Sequence, residues 1–311
     1  MKIVITGGLG FIGQNFADYA RRQNPDIELI AVDWFTEAAE EETSLFDQVH
    51  IADFADDSSL ALMKGADVVM HLAAHTTVQE SIQDPLRTFE NNVVKTQKVL
   101  EFLRLNSLET KFIFASTGGA IIGEYDGAIN EEIAAKPLSP YGASKLMVEG
   151  LLSAYLGSYG LRSASMRFSN VYGPKSFRKG SVVAAYCKMY FRDGRLQVNG
   201  DGKQTRDYIY VDDISAAIWG VIQNDANGVF QLGTGIPTSI LEIVDIFEKL
   251  DPEKQVEIFH ADALPGEVRH NKADISRIRD TVGFDPEFSV GDGIKETVDW
   301  FKSRHNQLFE K

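Results

Sequence analysis

Tyr141 and Lys145 stand four residues apart in a stretch whose pattern fits a helix, so both side chains project from one face. A phenol beside an ammonium is a potential base, because the positive charge favours the phenolate. Making a tyrosine basic near neutral pH requires roughly 4 kcal/mol, within reach of a desolvated cleft holding one or two positive charges. Thr117, in Phe114-Ala115-Ser116-Thr117-Gly118-Gly119, closes an apolar run. It offers a hydroxyl at the carboxyl end of an expected strand, where doubly wound sheets bind ligands.

A second chemical signature opens the chain. Gly7-Gly8-Leu9-Gly10-Phe11-Ile12-Gly13 follows a strand-like segment and precedes a helical one. In that context glycines allow a tight turn and close backbone approach to a pyrophosphate, which the helix N-terminus attracts. Asp33 closes the next strand about twenty residues on, where a carboxylate accepts hydrogen bonds from an adenosine ribose and repels a 2′-phosphate. Trp34, Phe35 and Thr36 include no arginine or lysine, so NAD is expected over NADP. The acidic run Glu37, Glu40, Glu41 and Glu42 reads as a solvated face that would deepen the repulsion if it folds nearby.

The elements that must position these groups follow from the apolar pattern. Strand-length runs at 2–6, 28–32, 49–52, 68–72, 111–116 and 163–168 alternate with helical patterns at 11–22, 60–64, 85–105 and 140–157. Alternation of this kind implies parallel pairing and a doubly wound α/β sheet with right-handed crossovers. After Gly173-Pro174 the rhythm changes: helices at 182–191, 211–222, 240–250 and 291–301, and strands at 207–210 and 229–232. Two interleaved domains are expected: 1–173 with about 207–235 for the dinucleotide, and about 174–206 with 236–311 for a substrate, facing each other across a cleft.

Composition narrows the classes. The 311 residues are 44% hydrophobic and 24% charged, with no apolar run of membrane-span length. A net charge of −14 argues against nucleic acid or an anionic membrane as partner. The single cysteine, Cys187, excludes an intrachain disulfide and a thiolate-rich zinc site, and reads as a small buried residue. No metal site is expected. The opening strand does not resemble a secretory signal, so the cytoplasm is the expected location.

With these residues in place, the sequence resembles the extended short-chain dehydrogenase/reductase family, especially its nucleotide-sugar epimerases of the UDP-glucose 4-epimerase kind. The likeness includes Asp53-Phe54, His71-Leu72-Ala73-Ala74, Asn92-Val93, the segment 167–174, Gln204-Thr205-Arg206-Asp207-Tyr208, Leu232-Gly233-Thr234-Gly235 and Gly266-Glu267-Val268-Arg269. The resemblance implies that Tyr141 is the base and acid, Thr117 its hydroxyl partner, and Lys145 the residue that binds nicotinamide ribose and lowers the tyrosine. It implies that Asp53, Phe54, Leu72, Ala73, Ala74 and Asn92 serve NAD, and that Asn170, Arg206 and Arg269 hold a nucleotide sugar. Asn271 is expected against the substituent on the sugar's second carbon, where an N-acetyl group would fit, with a solvent-facing turn residue as the alternative.

Two positions depart from the family pattern: Ile122 replaces a tyrosine before Gly123, and Leu264 replaces an arginine before Pro265. A 4,6-dehydratase of the family is expected to carry an acid and a base directly after the threonine, where this chain has Gly118 and Gly119. A decarboxylase is expected to have a glutamate nearby, and none precedes Glu124. Epimerisation through a transient 4-keto sugar is therefore favoured, with a dehydratase, a keto-sugar reductase and a non-catalytic NAD-binding regulator as alternatives. A homodimer is also expected, since Leu86, Phe89, Val93, Leu151, Leu152 and Tyr155 have spacings that could serve more than one helix face.

Overall fold

The computed structural model describes residues 1–251, 254, 256–262 and 269–309. Alternating apolar runs build one parallel sheet of seven strands: β1 (Lys2–Thr6), β2 (Glu28–Asp33), β3 (Gln48–Ile51), β4 (Val68–His71), β5 (Lys111–Thr117), β6 (Ser163–Phe168) and β7 (Gly228–Leu232). Their spatial order is β7-β6-β5-β4-β1-β2-β3. The strands read as apolar throughout because both faces are covered. Ile3, Ile5, Leu29, Ala31 and Ile113 point to one face, with Phe16, Ile214 and Ile218 from the helices Phe11–Gln23 and Val211–Gln223. Their neighbours Val4, Ile30, Val32, Phe112 and Phe114 point to the other, with Leu100, Leu103, Val148 and Leu152 from Lys95–Asn106 and Pro140–Tyr159.

The chain leaves β1 in one direction to form β2 and in the other to form β4, both of which pair with β1. Loops following β1 and β4 therefore diverge, which opens a crevice at the carboxyl ends of the strands. A third apolar cluster lies apart from the two on the sheet. It joins Tyr172, Tyr186 and Cys187 to Phe247, Ile294 and Phe301. A small sheet of Asn170–Tyr172, Thr205–Tyr210 and Pro237–Ser239 sits with it, as does the strand pair Arg195–Asn199 and Glu257–Ala261. Among the described residues, no helix is long and apolar enough to cross a membrane.

Two expectations need correction. Residues 85–105 are not one helix but Pro85–Phe89, a π-turn at Glu90–Val94 and then Lys95–Asn106. Val93, Leu152 and Tyr155 are not available to a second face, because packing on the sheet buries all three. Leu86, 80% exposed, and Phe89, 44% exposed, do face outward.

Candidate active site

Thr117, Tyr141 and Lys145 line one cavity of about 800 Å³ at the carboxyl ends of β1, β4 and β5. Thr117 is the last residue of β5, and Tyr141 and Lys145 lie in the first two turns of Pro140–Tyr159. That helix starts sharply: Ser139 accepts a hydrogen bond from the Gly142 amide, and Pro140 occupies the first turn, where its missing N–H costs nothing. Lys145 Nζ donates to the Ala115 carbonyl at 2.8 Å and so ties the helix to the strand that carries Thr117. The ammonium lies 5.9 Å from the centre of the Tyr141 ring.

The electrostatics differ from the reading of an ammonium that lowers a phenol. Burial pushes Tyr141 up to about 12 and Lys145 down to about 7, with Glu149 partly opposing the second shift. A dry cleft penalises both charged forms at once, and a lysine driven toward neutrality has less charge to lend. Glu149 stands one further turn along the same helix. It accepts from Ser116 Oγ at 2.6 Å and pairs with Arg167 at 2.7 Å, with both members of the pair buried. Position 149 repeats the spacing of 141 and 145, so periodicity alone would have found it.

Behind the site runs a buried polar ladder. Thr96 Oγ1 donates to the Asn92 carbonyl at 2.8 Å, so it accepts from His71 Nε2 at 2.9 Å, and His71 Nδ1 in turn accepts from Thr6 Oγ1 at 2.7 Å. Burial pushes His71 down to about 3, which keeps it neutral, as this chain of donors requires. Asn92 does not reach the cavity wall, whereas its neighbour Asn91 does. Its side chain instead accepts from the His75 amide at 2.8 Å and donates to the His75 carbonyl and to Ser144 Oγ, both at 3.0 Å. Ser144 donates to the Tyr141 carbonyl at 2.7 Å, so Asn92 clamps the loop after β4 to the start of the tyrosine-bearing helix.

The dinucleotide end fits its expected occupant. A Cβ on Gly7, whose φ is +71°, would lie 2.9 Å from the Ala73 amide nitrogen, and one on Gly13 would lie 2.8 Å from the Gly7 carbonyl. Only glycines allow this closeness, and the helix Phe11–Gln23 starts without a side-chain cap, leaving its first amides for an anion. Gly7, Gly10, Phe11, Ile12, Gly13, Asp33, Asp53, Phe54, Leu72, Ala73 and Ala74 all line the cavity. Asp33 accepts from the Leu9 amide at 3.0 Å and the Phe35 amide at 3.1 Å, and burial raises its carboxyl. Asp53 is buried enough to be raised, but Lys95 at 2.5 Å and the Ala55 amide hold it below the usual range.

At the other end Arg206 and Asn170 line the cavity, and Arg269 does not; it pairs with Asp201 at 2.7 Å on the surface. Leu264 and Gly266-Glu267-Val268 lie outside the described residues. Asp207 organises this region: its buried carboxylate accepts from the amides of Thr234, Gly235 and Ala273 at 2.8 to 2.9 Å. The short strand Lys272–Ala273, held in this way, brings Asn271 against Gly119, while Gln231 packs against Gly118. Ile122 is buried with Ile121 and Ile129 in a small apolar cluster.

Sequence reasoning named Lys145 and Arg206 but missed the other cations around them. Seven lysine and arginine side chains line the cavity against two carboxylates, Asp33 and Asp53. Lys175, Arg178 and Lys179 come from the segment after Gly173-Pro174, and a basic cluster in an acidic chain was the available signal. A locally positive cleft in a protein of net charge −14 selects anionic ligands.

Residues 3–233 match the model of a family described as the NAD dependent epimerase/dehydratase family. A Methanocaldococcus jannaschii protein, provisionally named a UDP-glucose 4-epimerase, is 33% identical over 309 residues, covering 97% of this chain and 99% of its own. The structure of UDP-glucose 4-epimerase from Thermotoga maritima with UDP-glucose superposes with a TM-score of 0.90 at 30% identity, covering 98% of this chain and 100% of that one. That of UDP-N-acetylglucosamine 4-epimerase from Methanobrevibacter ruminantium M1 with UDP-N-acetylmuramic acid gives 0.89 at 29%, covering 97% and 98%.

Proposed function

Because the chain belongs to the NAD-dependent epimerase/dehydratase family, we propose that it is a nucleotide-sugar 4-epimerase acting on a UDP-hexose or a UDP-N-acetylhexosamine. Its cofactor is NAD. The observation that carries the epimerase reading is the pair of glycines after Thr117, whose space is taken by the side-chain ends of Gln231 and Asn271. A side chain at Gly118 would meet the buried amide of Gln231, with Cδ only 2.9 Å from the new Cβ, and one at Gly119 would meet the Asn271 amide. Gly118 and Gly119 leave this chain without the acid and base expected of a dehydratase at those two positions. What remains is chemistry that needs one proton acceptor and a reversible hydride acceptor.

On this reading Tyr141 takes the proton from the sugar's C4 hydroxyl and later returns it, and Thr117 hydrogen-bonds the same hydroxyl. Lys145 holds the nicotinamide ribose and keeps the helix against β5. NAD, held by the glycine loop and Asp33, would supply a reversible hydride acceptor for C4 and a positive ring charge favouring the phenolate that burial opposes. The 4-keto sugar turns within the cavity and is reduced from its other face. Arg206, with Lys175 and Lys179, suits the diphosphate, since arginine forms charge-assisted and bidentate contacts with such anions. We assign residues 174–206 and 236–311 to the nucleotide-sugar part, and 1–173 with 207–235 to the dinucleotide part. Asn271 beside Gly119 supports an N-acetyl substrate, because an amide offers that group a donor and an acceptor.

Incubation of the purified protein with UDP-glucose, UDP-galactose and their N-acetylhexosamine counterparts, followed by NMR of the products, tests the reading. C4 epimers without stoichiometric NADH release are expected. A 4-keto-6-deoxy product, or one NADH released per sugar, would defeat it.

A further inference from the structure

We propose that Glu42 strengthens the preference for NAD by holding Arg178, a cation poised at the ribose end of the cleft, in a bidentate pair that denies it to a 2′-phosphate. The inference stands on the NAD dependence of the family and goes beyond the choice of sugar reaction.

No lysine or arginine stands directly after Asp33 in sequence, yet the fold brings one there. Arg178 lies with its guanidinium carbon 4.1 Å from the centre of the Phe35 ring, and Phe35 donates its amide to Asp33 Oδ1 at 3.1 Å. Asp33, Phe35 and Arg178 all line the cavity. The site thus combines a carboxylate that repels a 2′-phosphate with an arginine whose planar fork is built to bind one.

Glu42 decides between them. Its Oε1 and Oε2 each accept from Arg178 at 3.0 Å, one from Nη1 and the other from Nη2, so the outer face of the guanidinium fork is occupied. The carboxylate is itself fixed from two other directions. Oε2 accepts from the Ala39 amide at 2.9 Å, and Oε1 accepts from Gln14 Nε2 at 3.2 Å. Gln14, on the glycine-loop helix, also donates to the Leu9 carbonyl at 2.7 Å, and the Leu9 amide donates to Asp33. Glu42 is therefore anchored to the wall that receives the ribose. Its side chain is 17% exposed while that of Arg178 is 50% exposed, so the pair sits at the rim, where a ribose substituent would arrive. An incoming 2′-phosphate has to displace Glu42 from Arg178 as well as approach Asp33.

Calorimetric affinities for NAD and NADP test this in the unmodified protein, Glu42→Gln, Arg178→Met and the double variant. Glutamine keeps an acceptor for Gln14 or Ala39 and loses the charge. Glu42→Gln should raise NADP affinity relative to NAD on the order of tenfold, the worth of one charge-assisted contact. Adding Arg178→Met should cancel that gain. Arg178→Met alone should shift the ratio by less than about threefold, because the arginine is already engaged. The proposal falls if Glu42→Gln leaves the ratio unchanged, or if the double variant keeps the gain, since removal of charge would then suffice. It also falls if Arg178→Met alone weakens NADP relative to NAD beyond that limit. This last arm decides the matter even if Glu42→Gln fails to fold.

Discussion

At position 141 the protein sets two effects against each other. Burial pushes the phenol up to about 12 and the neighbouring lysine down to about 7, so under the proposed mechanism Tyr141 needs added positive charge to act as a base. Tyr141→Phe removes the proton carrier but leaves the ring and the Lys145 to Ala115 tether, so turnover should fall roughly 10²- to 10⁴-fold while NAD stays bound. Lys145→Met removes the tether together with the proposed ribose contact, and both turnover and NAD retention should drop. Steady-state rates with retained NAD measured after gel filtration separate the two outcomes. Wild-type-like turnover in Tyr141→Phe would remove the tyrosine from the mechanism. That Thr117, Tyr141, Lys145 and the glycines meet around one cavity was legible because short spacing on an identifiable element places them. Arg178 was not, because it meets Glu42 across 136 residues and no local pattern encodes such a contact.

At the level of elements, the π-turn Glu90–Val94 shows how a small irregularity does positioning work. The extra residue in the turn lets the Lys95 amide bond the Glu90 carbonyl, and the Asn92 carbonyl is met by the Thr96 hydroxyl. The Asn92 side chain is then free to clamp His75 and Ser144. π-turns recur near functional sites for this reason. Asn92→Ala removes the partner of the part-buried His75 amide and carbonyl, at a cost of roughly 2 kcal/mol, while Ser144 keeps its bond to the Tyr141 carbonyl. It should also loosen the loop after β4 and weaken NAD binding. Urea unfolding and NAD titration check both effects, and a variant equal to wild type in each would show that the clamp does nothing. The sequence pattern read 85–105 as one helix because a single added residue hardly disturbs a helical apolar period. The strand Arg195–Asn199 was missed for another reason. Leu196 and Val198 alternate as a strand requires, but the run is short and its partner, Glu257–Ala261, lies far along the chain.

For the molecule as a whole, an acidic chain encloses a cleft lined by seven lysine and arginine side chains, a contrast that favours anionic ligands at the cleft. The exposed apolar residues have no such account within one chain. Ile82, Leu86 and Phe89 on the short helices Val78–Gln83 and Pro85–Phe89 are 55%, 80% and 44% exposed, and Met147 on Pro140–Tyr159 is 48% exposed. These helices pack on one another, so the four residues belong to one region of the surface. The inward residues of Pro140–Tyr159, Val148, Leu152 and Tyr155, are spent on the sheet, and the apolar cluster there includes none of the four outer residues. We propose that a second copy covers it across a two-fold axis, since a self-complementary patch closes without leaving an edge. The mass in solution at micromolar concentration should then be twice 34.5 kDa. A charge placed in the patch by Leu86→Asp with Met147→Asp should yield monomers that still bind NAD, because neither residue lines the cavity. Light scattering reads both outcomes. A monomeric wild type would rule the dimer out, and a double variant that stays dimeric would move the interface elsewhere.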